Sequence, residues 1–354
     1  MKANTSGQSI SVDLAWIDML KGIAIIGVIL DNVSGYMRTF VLPVGPFVQV
    51  FFILSGFGLT ITYLKQSKMG WSWKKWAWRR ITKIVMPYAI FVGLSFVLGT
   101  LGAYLHASVD VQFSWVALLA YLIFTRNFYP SFWVWNPPLW FMPVIVGLYI
   151  SFPVLLKILA KWGPWALLLI AVLVTYGTRT IAVLADAPQS HGADLFTFWM
   201  IQFALGIVLA HVRETDPQKL GRLIGFKAFL VGLGFMACSW ALTRYVPLGK
   251  AFNDPITSVG IFLLLLNLVW TSRALVPLTG RVLNALSGKS YLMYLVHYPI
   301  IAFLIGPLLG VFTDRVVVLV FGVIYIVVMF FLSYLISRPI DKLVSWAYYK
   351  YRVN

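Results

Sequence analysis

The chain has 354 residues, of which 60% are hydrophobic and only 11% are charged, with a mean hydropathy of +0.86. Soluble globular domains carry about 25% charged residues, so this composition excludes an ordinary soluble enzyme. The net charge of +17 comes without a nucleic-acid recognition motif and is typical of a membrane protein with basic loops on an anionic leaflet.

Apolar runs recur along the whole chain at the length that crosses a membrane. About 20 helical residues span the ~30 Å hydrocarbon core. The sequence therefore predicts an all-α, polytopic membrane helix bundle that forms one domain over residues 1–354, with a flexible cytoplasmic start at 1–12 and a cytoplasmic tail at 343–354. The ten predicted spans are 14–37, 44–64, 85–105, 139–160, 163–184, 196–213, 226–245, 255–272, 290–310 and 315–337.

The segment 114–126 is either an eleventh span or a short helix that enters the membrane and returns. Loop 65–84 has seven Lys or Arg and no acid, and loops 213–227 and 273–289 are also basic, whereas loop 185–195 has no Lys or Arg. Basic loops favour the cytoplasmic side, and a full crossing at 114–126 would place the later ones outside. We therefore expect a short re-entrant or interfacial helix there, and both termini on the cytoplasmic side of a plasma membrane.

The first apolar run carries charges, which are costly in a bilayer and often mark function. At about 100° per residue, Asp18, Lys21 and Asn32 fall on one face and form a polar stripe roughly 20 Å long. Asp31 lies about 80° from that face and is the only acid deep within a predicted span. The stripe is either the lining of a polar cavity or a structural cluster at the membrane edge and interior.

Five stretches occur in an order and at spacings that are informative together. They are Ile17-Asp18-x-Leu20-Lys21-Gly22-Ile23-Ala24, Phe51-Phe52-Ile53-Leu54-Ser55-Gly56-Phe57, Arg79-Arg80-Ile-Thr-Lys83-Ile84-x-x-Pro87-Tyr88, Leu139-Trp140-Phe141 and Ser287-Gly-Lys-Ser290-Tyr291-Leu-Met-Tyr-Leu-Val-His297. This set resembles the membrane acyltransferase 3 family, whose members are integral-membrane O-acyltransferases that act on surface glycans. The resemblance covers most of the chain, with the spacing before Pro87 shifted by one residue.

The resemblance implies an acyl-CoA donor, with acetyl-CoA expected, that delivers its acyl group from the cytoplasm through the bundle. The acceptor would be a surface glycan or a lipid-linked glycan. The basic residues near the membrane, together with three aromatic residues, are the expected substrate contacts. Those candidates are Arg79, Arg80, Lys83, Tyr88, Trp140 and Tyr291, with Asp18 beside Lys21. The basic segment also suits an interfacial helix anchored to anionic lipid, and Trp140 suits either sugar stacking or interface anchoring.

Two positions depart from the family pattern. The family has an Arg and, eleven residues later, a His that is its expected general base, whereas this chain has Lys21 and Asn32. An amide does not titrate near neutral pH and cannot act as that base. Three interpretations follow. Asp31 is the general base, or His297 is the general base, or the chain has lost acyl transfer and acts in glycan binding, export or a synthase complex. An unrelated transporter is disfavoured because no internal repeat is evident.

Other reactive side chains have ordinary structural interpretations. Ser55 is expected to be a small residue in helix packing rather than a nucleophile, and His297 is either a packing histidine or a substrate contact. The four histidines show no metal-ligand spacing, and the single Cys238 excludes an intramolecular disulfide. We expect no metal site and no tightly bound cofactor. The expected partners are acyl-CoA, a glycan and membrane lipids, not nucleic acid.

Overall fold

The computed structural model describes residues 15–39, 46–105, 114–132, 135–186, 195–275, 277–306 and 313–350. Within these residues every regular element is a helix and no strand is present, which confirms the all-α class.

The helices fall into a long and a short group. The long ones are α1 (Ala15–Tyr36), α2 (Phe47–Ser67), α4 (Met86–Leu105), α6 (Phe141–Leu184), α9 (Phe226–Tyr245), α11 (Asp254–Leu275), α12 (Pro277–Ile300) and α13 (Arg315–Lys350). The shorter ones are α3 (Trp73–Arg80), α5 (Trp115–Leu122), α7 (Met200–Thr215), α8 (Pro217–Gly221) and α10 (Gly249–Phe252). A π turn, Ile81–Val85, joins α3 to α4, and a second one, Ile301–Ile305, follows α12.

Eight helices in the described part of the chain are long and apolar enough to cross a membrane, so the polytopic helical bundle is confirmed. The 44 residues of α6 suffice for two crossings, because one straight helix of that length would extend about 66 Å. Gly163 interrupts α6 between them with a φ of 82°. These eight candidate spans include α7 with the residues just before it, Phe196–Thr215, but not α1, which at 22 residues is also long enough to cross. If α6 counts as two crossings and α1 is added, the total is ten, which agrees with the ten predicted spans.

Three predicted loops or tails are largely helical. The predicted loop 65–84 becomes helical at Trp73, where Ser72 accepts a hydrogen bond from the Lys75 backbone N–H (3.3 Å) and so caps α3. The predicted loop 273–289 is helical from Pro277, and proline is favoured at a first helical position. Helix α13 continues to residue 350, through most of the predicted tail. The predicted flexible start at 1–12 lies outside the described residues.

The segment 114–126 contains the expected short helix. Helix α5 has 8 residues, which extend about 12 Å and cannot cross a membrane. Its Ala117, Ala120 and Tyr121 are buried, while Trp115 and Leu119 are exposed. In the irregular chain that follows, Arg126, Asn127 and Asn136 are buried within the protein, whereas Phe128 and Tyr129 are exposed.

Glycines bring the central helices into close contact. A Cβ atom at Gly206 of α7 would lie 1.9 Å from the Ile53 backbone oxygen of α2, and one at Gly22 of α1 would lie 2.1 Å from the Leu283 oxygen of α12. Only glycine permits such an approach between helix backbones. Because α1 also contacts α2, α11 and α13, it lies in the middle of the bundle, with its polar residues next to several other helices.

Candidate functional site

One face of α12 lines a cavity of about 320 Å³, which we call the Lys21 cavity. Ser287, Ser290, Tyr291 and Tyr294 follow the i, i+3, i+4, i+7 pattern that places side chains on one side of a helix. Lys21 from α1 borders the same space. The other lining residues are Val28, Val48, Phe51, Ser55, Lys83, Ile84, Phe141, Met142, Ile145 and Tyr149. The cavity is therefore mostly apolar, with a few hydroxyl groups and two lysines.

Lys21 lies at an accessible end of the predicted stripe. Its Nζ is 3.3 Å from an Asp18 carboxylate oxygen, and the two side chains are 36% and 57% exposed. The same carboxylate oxygen accepts a hydrogen bond from Ser287 Oγ (3.2 Å), which ties α1 to α12. Such an exposed pair contributes little stability, about 0–1 kcal/mol. The Lys21 ammonium thus remains available to an anionic ligand that enters the cavity.

The predicted phosphate-binding residues lie beside this cavity. Lys83, in the π turn, borders the Lys21 cavity, and π turns occur often at functional sites. The guanidinium carbon of Arg80 lies 6.0 Å from the centroid of the Tyr149 ring, which also borders the cavity. In the described parts of the chain, neither Arg79, Arg80 nor Lys83 forms an ion pair with an acid. Their charges are therefore free to bind an anion.

A second cavity, of about 190 Å³, contains the deep polar residues of α1, and we call it the Asp31 cavity. Its lining residues are Val28, Asp31, Asn32, Val48, Pro137, Pro138, Trp140 and Tyr294. Val28, Val48 and Tyr294 border both cavities, so the two spaces adjoin. Lys21 and Asp31 are ten residues apart, about 15 Å along the helix. The polar stripe thus connects one cavity with the other.

Asp31 and Asn32 offer different groups to the Asp31 cavity. Asn32 Nδ2 donates a hydrogen bond to the Val28 carbonyl (2.8 Å), which leaves its Oδ1 as the group that can accept. The Asp31 carboxylate has no hydrogen-bond or ion-pair partner within the described residues, and the residue is exposed. Although consecutive residues of a helix point about 100° apart, both residues border the same space.

The far wall of the Asp31 cavity is the turn Pro137–Trp140, which is fixed by several contacts. Tyr294 Oη donates to the Pro138 carbonyl (2.5 Å), and Asn127 Nδ2 donates to the Trp140 carbonyl (3.0 Å). The Trp140 ring stacks on Trp199, with centroids 5.5 Å apart and an interplanar angle of 27°. Trp140 is therefore held within the bundle, with a position beside Asp31 that suits a sugar ring.

A family model described as an acyltransferase domain, of the acyltransferase 3 type, matches residues 14–338. The chain belongs to this acyltransferase family. Comparisons with curated proteins and with solved structures found no match. All residues of the two cavities lie within the matched range. The acyltransferase is thus a multi-pass membrane protein whose family implies an acyl donor, an acceptor and contact with lipids.

Two predicted site residues of the acyltransferase lie in packed positions away from both cavities. Tyr88 is fully buried, its Oη donates to the Tyr121 carbonyl (2.9 Å), and its ring stacks on Phe124; this attaches α4 to α5. His297 is also fully buried, and its Nδ1 donates to the Tyr294 carbonyl (2.7 Å). Its own carbonyl accepts a hydrogen bond from Tyr325. These contacts favour the packing interpretation of His297.

Tyr291 and Ser55, in contrast, both border the Lys21 cavity of the acyltransferase. Tyr291 Oη donates to the Ile84 carbonyl (2.6 Å) and so connects α12 with the π turn that contains Lys83. The close helix contact expected of Ser55 is made by its neighbour, since a Cβ at Gly56 would lie 2.2 Å from the Phe203 oxygen. Ser55 therefore presents a hydroxyl to the cavity.

Sequence reasoning missed a buried ion pair that supports the wall of the Asp31 cavity. Arg179 is 4% exposed and donates to the Asp254 carboxylate (2.8 Å) and to the Ala251 carbonyl (2.5 Å). Its guanidinium carbon lies 5.7 Å from the centroid of Trp199, the ring on which Trp140 stacks. The sequence feature that could have indicated this pair is the position of Arg179 within the predicted span 163–184 of the acyltransferase, because charged residues inside a membrane usually have a partner.

Proposed function

We propose that this acyltransferase moves a short acyl group, expected to be acetyl, from cytoplasmic acyl-CoA to a hydroxyl group of a surface glycan or lipid-linked glycan. The observation that carries the proposal is that the Lys21 cavity, with cations at its edge, adjoins the Asp31 cavity, with a carboxylate and an indole. A donor and an acceptor could then meet at the boundary formed by Val28, Val48 and Tyr294. The protein would act in the plasma membrane, with both termini in the cytoplasm.

The donor end of the proposal depends on cations that have no acidic partner among the described residues. Arg79, Arg80 and Lys83 are clustered at the junction of α3 and the π turn, where they would bind the phosphates of acyl-CoA through charge-assisted hydrogen bonds. The pantetheine arm combines methylene and methyl groups with two amides and a hydroxyl group. It suits the Lys21 cavity, whose aromatic and aliphatic lining alternates with the hydroxyl groups of Ser290 and Tyr291.

The acceptor end supplies a base and groups that orient a sugar. The Asp31 carboxylate would remove the proton from an acceptor hydroxyl as its oxygen attacks the thioester carbonyl. The carbon–sulfur bond then breaks, and the CoA thiolate leaves and takes up a proton. Asn32 Oδ1 would accept a hydrogen bond from the acceptor, while Trp140 would stack on its ring. Lys21 replaces the family Arg with a compact charge that lacks the bidentate fork.

The test is acyl transfer by the purified full-length protein in lipid nanodiscs, with radiolabelled acetyl-CoA and an envelope glycan fraction. We expect saturable donor binding, and label in the glycan fraction. Lys83→Ala should raise the KM for donor at least about ten-fold, because loss of a hydrogen bond to a charged group costs ~1.5–3 kcal/mol. Lys342→Ala, which removes an exposed charge of α13, is the matched control. Absence of both donor binding and transfer, with an unchanged cellular phenotype for Asp31→Asn, would refute the proposal.

One observation favours a second candidate, a family member that binds or exports a glycan without acyl transfer. Asn32 stands where the family has its expected base, and its amide is already hydrogen-bonded to the Val28 carbonyl. Asn32→His discriminates the two candidates. Transfer gained only with histidine would indicate an intact donor site that has lost its base. Failure of both forms to bind donor would favour the second candidate, and normal transfer by the unaltered chain would exclude it.

A further inference from the structure

A third cavity, of about 280 Å³, lies between the junction of α3 with the π turn and the end of α13. We call it the Tyr349 cavity. Its lining residues are Arg79, Thr82, Lys83, Val344, Ser345, Tyr348 and Tyr349. One side is therefore cationic and the other is aromatic and hydroxyl-bearing. This combination of groups is suited to a ligand that contains phosphate and a flat ring.

Lys83 connects this space with the site already described, because it borders both the Lys21 cavity and the Tyr349 cavity. A ligand whose phosphates lie at Lys83 could thus extend into both spaces, with one end in each. The apolar Lys21 cavity suits a flexible thioester arm. The Tyr349 cavity, with Arg79 at its edge, suits the opposite end of the same molecule.

The aromatic side of the Tyr349 cavity comes from the last turns of α13. The buried Val344 and Ala347 hold this part of the helix against the protein. Tyr348 and Tyr349 have ring centroids 5.5 Å apart and planes inclined by 78°, and Tyr349 is 70% exposed. A tyrosine ring that is free on one face is a stacking platform for a nucleobase.

We propose that the end of α13 is the nucleotide subsite of the donor site, in which Tyr348 and Tyr349 contact the adenine ring of acyl-CoA. Arg79 and Lys83 bind the adjacent phosphates, and Ser345 and Thr82 provide hydroxyl groups near the ribose. The inference rests on the proposed function. The residues that it assigns on α13, Ser345, Tyr348 and Tyr349, lie beyond the match to the family model, which ends at residue 338.

Two truncated donors separate the ends of the ligand. Full-length protein in nanodiscs of zwitterionic lipid is titrated with acetyl-CoA, with adenosine 3′,5′-bisphosphate and with S-acetyl-pantetheine, which lacks the nucleotide. Tyr349→Ala and Tyr348→Ala should each weaken binding of the first two ligands about ten-fold, since stacking of one base contributes ~1–3 kcal/mol. Binding of S-acetyl-pantetheine should not change. Tyr349→Phe keeps the ring and should restore the affinity, and Trp346→Ala, in the same turn of α13 but outside the cavity lining, is the matched control.

The outcomes distinguish this inference from the proposed function. Normal donor affinity in both tyrosine-to-alanine variants overturns the nucleotide subsite and leaves the proposed function standing. An unaltered protein that binds neither acetyl-CoA nor adenosine 3′,5′-bisphosphate overturns both. The same titrations in nanodiscs with anionic lipid test a lipid phosphate as the occupant: if anionic lipid displaces the donor, and Tyr349→Ala relieves that competition without altering donor affinity, the nucleotide assignment is wrong.

Discussion

Replacement of Arg179 by methionine should destabilise the protein and also weaken acceptor binding. Arg179 connects α6 with the start of α11, where it donates to Asp254, and it faces the Trp199 ring, on which Trp140 stacks. Methionine keeps much of the apolar volume but donates no hydrogen bond. Among side chains in the described ranges, Gln49 alone would still donate a hydrogen bond (3.2 Å) to the Asp254 carboxylate, which is 26% exposed.

The magnitude follows from the burial of the pair. Breaking a buried ion pair by removal of one partner costs about 3–5 kcal/mol, because the remaining charge is left uncompensated. For a chain of this size, that corresponds to a fall of roughly 4–7 °C in melting temperature. Asp254→Asn in the Arg179→Met background removes the uncompensated charge, so the double variant should recover part of the loss.

Thermal unfolding in nanodiscs measures the stability, and the KM for acceptor measures the state of the Trp140 wall. We expect Arg179→Met to raise the acceptor KM several-fold and to leave the donor KM near that of the unaltered protein. Arg244→Met, at an exposed position on α9, is the matched control. A melting temperature for Arg179→Met equal to that of Arg244→Met would refute the assignment of Arg179 as a structural support of the site.

Two further predictions concern packing and capping. Gly206→Ala places a Cβ 1.9 Å from a backbone oxygen of α2 and should cost about 1–3 kcal/mol by overpacking, measured as a lower melting temperature, whereas Gly177→Ala, where nothing lies within 4 Å, should not lower it. The Asp216 carboxylate caps α8, and the hydrogen bond from Lys219 lowers its pKa. The stabilisation by this cap is therefore fully present above pH 3.8, the usual pKa of the group, and is lost as the pH falls through the lowered pKa. Hydrogen exchange at the Lys219 amide should therefore show an acid-dependent loss of protection that is missing in Asp216→Asn, and an identical pH profile in both proteins would contradict this.

The helical class and the approximate spans could be predicted because both depend on the length of apolar runs. Two of the boundaries that differ lie at α3 and α12, where helices begin within segments whose charge suggested loops. Their residues are polar enough to leave the membrane, yet local capping at Ser72 and the preference of proline for a first helical position favour helix there. The charge of a segment between spans indicates on which side of the membrane the segment lies, but not whether it is helical.

The candidate site could be predicted only in part. The helical period predicts that Lys21 and Asn32 share one face of α1, a prediction that depends on one helix alone, and the two residues border adjoining cavities. It could not show that Asp31 borders the same space as Asn32, because the width of a cavity depends on the neighbouring helices. The pair of Arg179 with Asp254, residues that are 75 positions apart, and the meeting of Lys83 with Tyr349 depend on tertiary packing that no local pattern encodes.

The most direct test of the account is the turnover of Asp31→Asn, measured in the same nanodisc preparation as its affinity for acetyl-CoA. Asparagine has nearly the size of aspartate but cannot take up a proton at neutral pH. Because a positioned general base contributes about 10²–10⁴-fold to the rate, Asp31→Asn should lower kcat by a factor in that range and leave the Kd for acetyl-CoA unchanged. A kcat equal to that of the unaltered protein would show that Asp31 is not the base and would contradict the central claim.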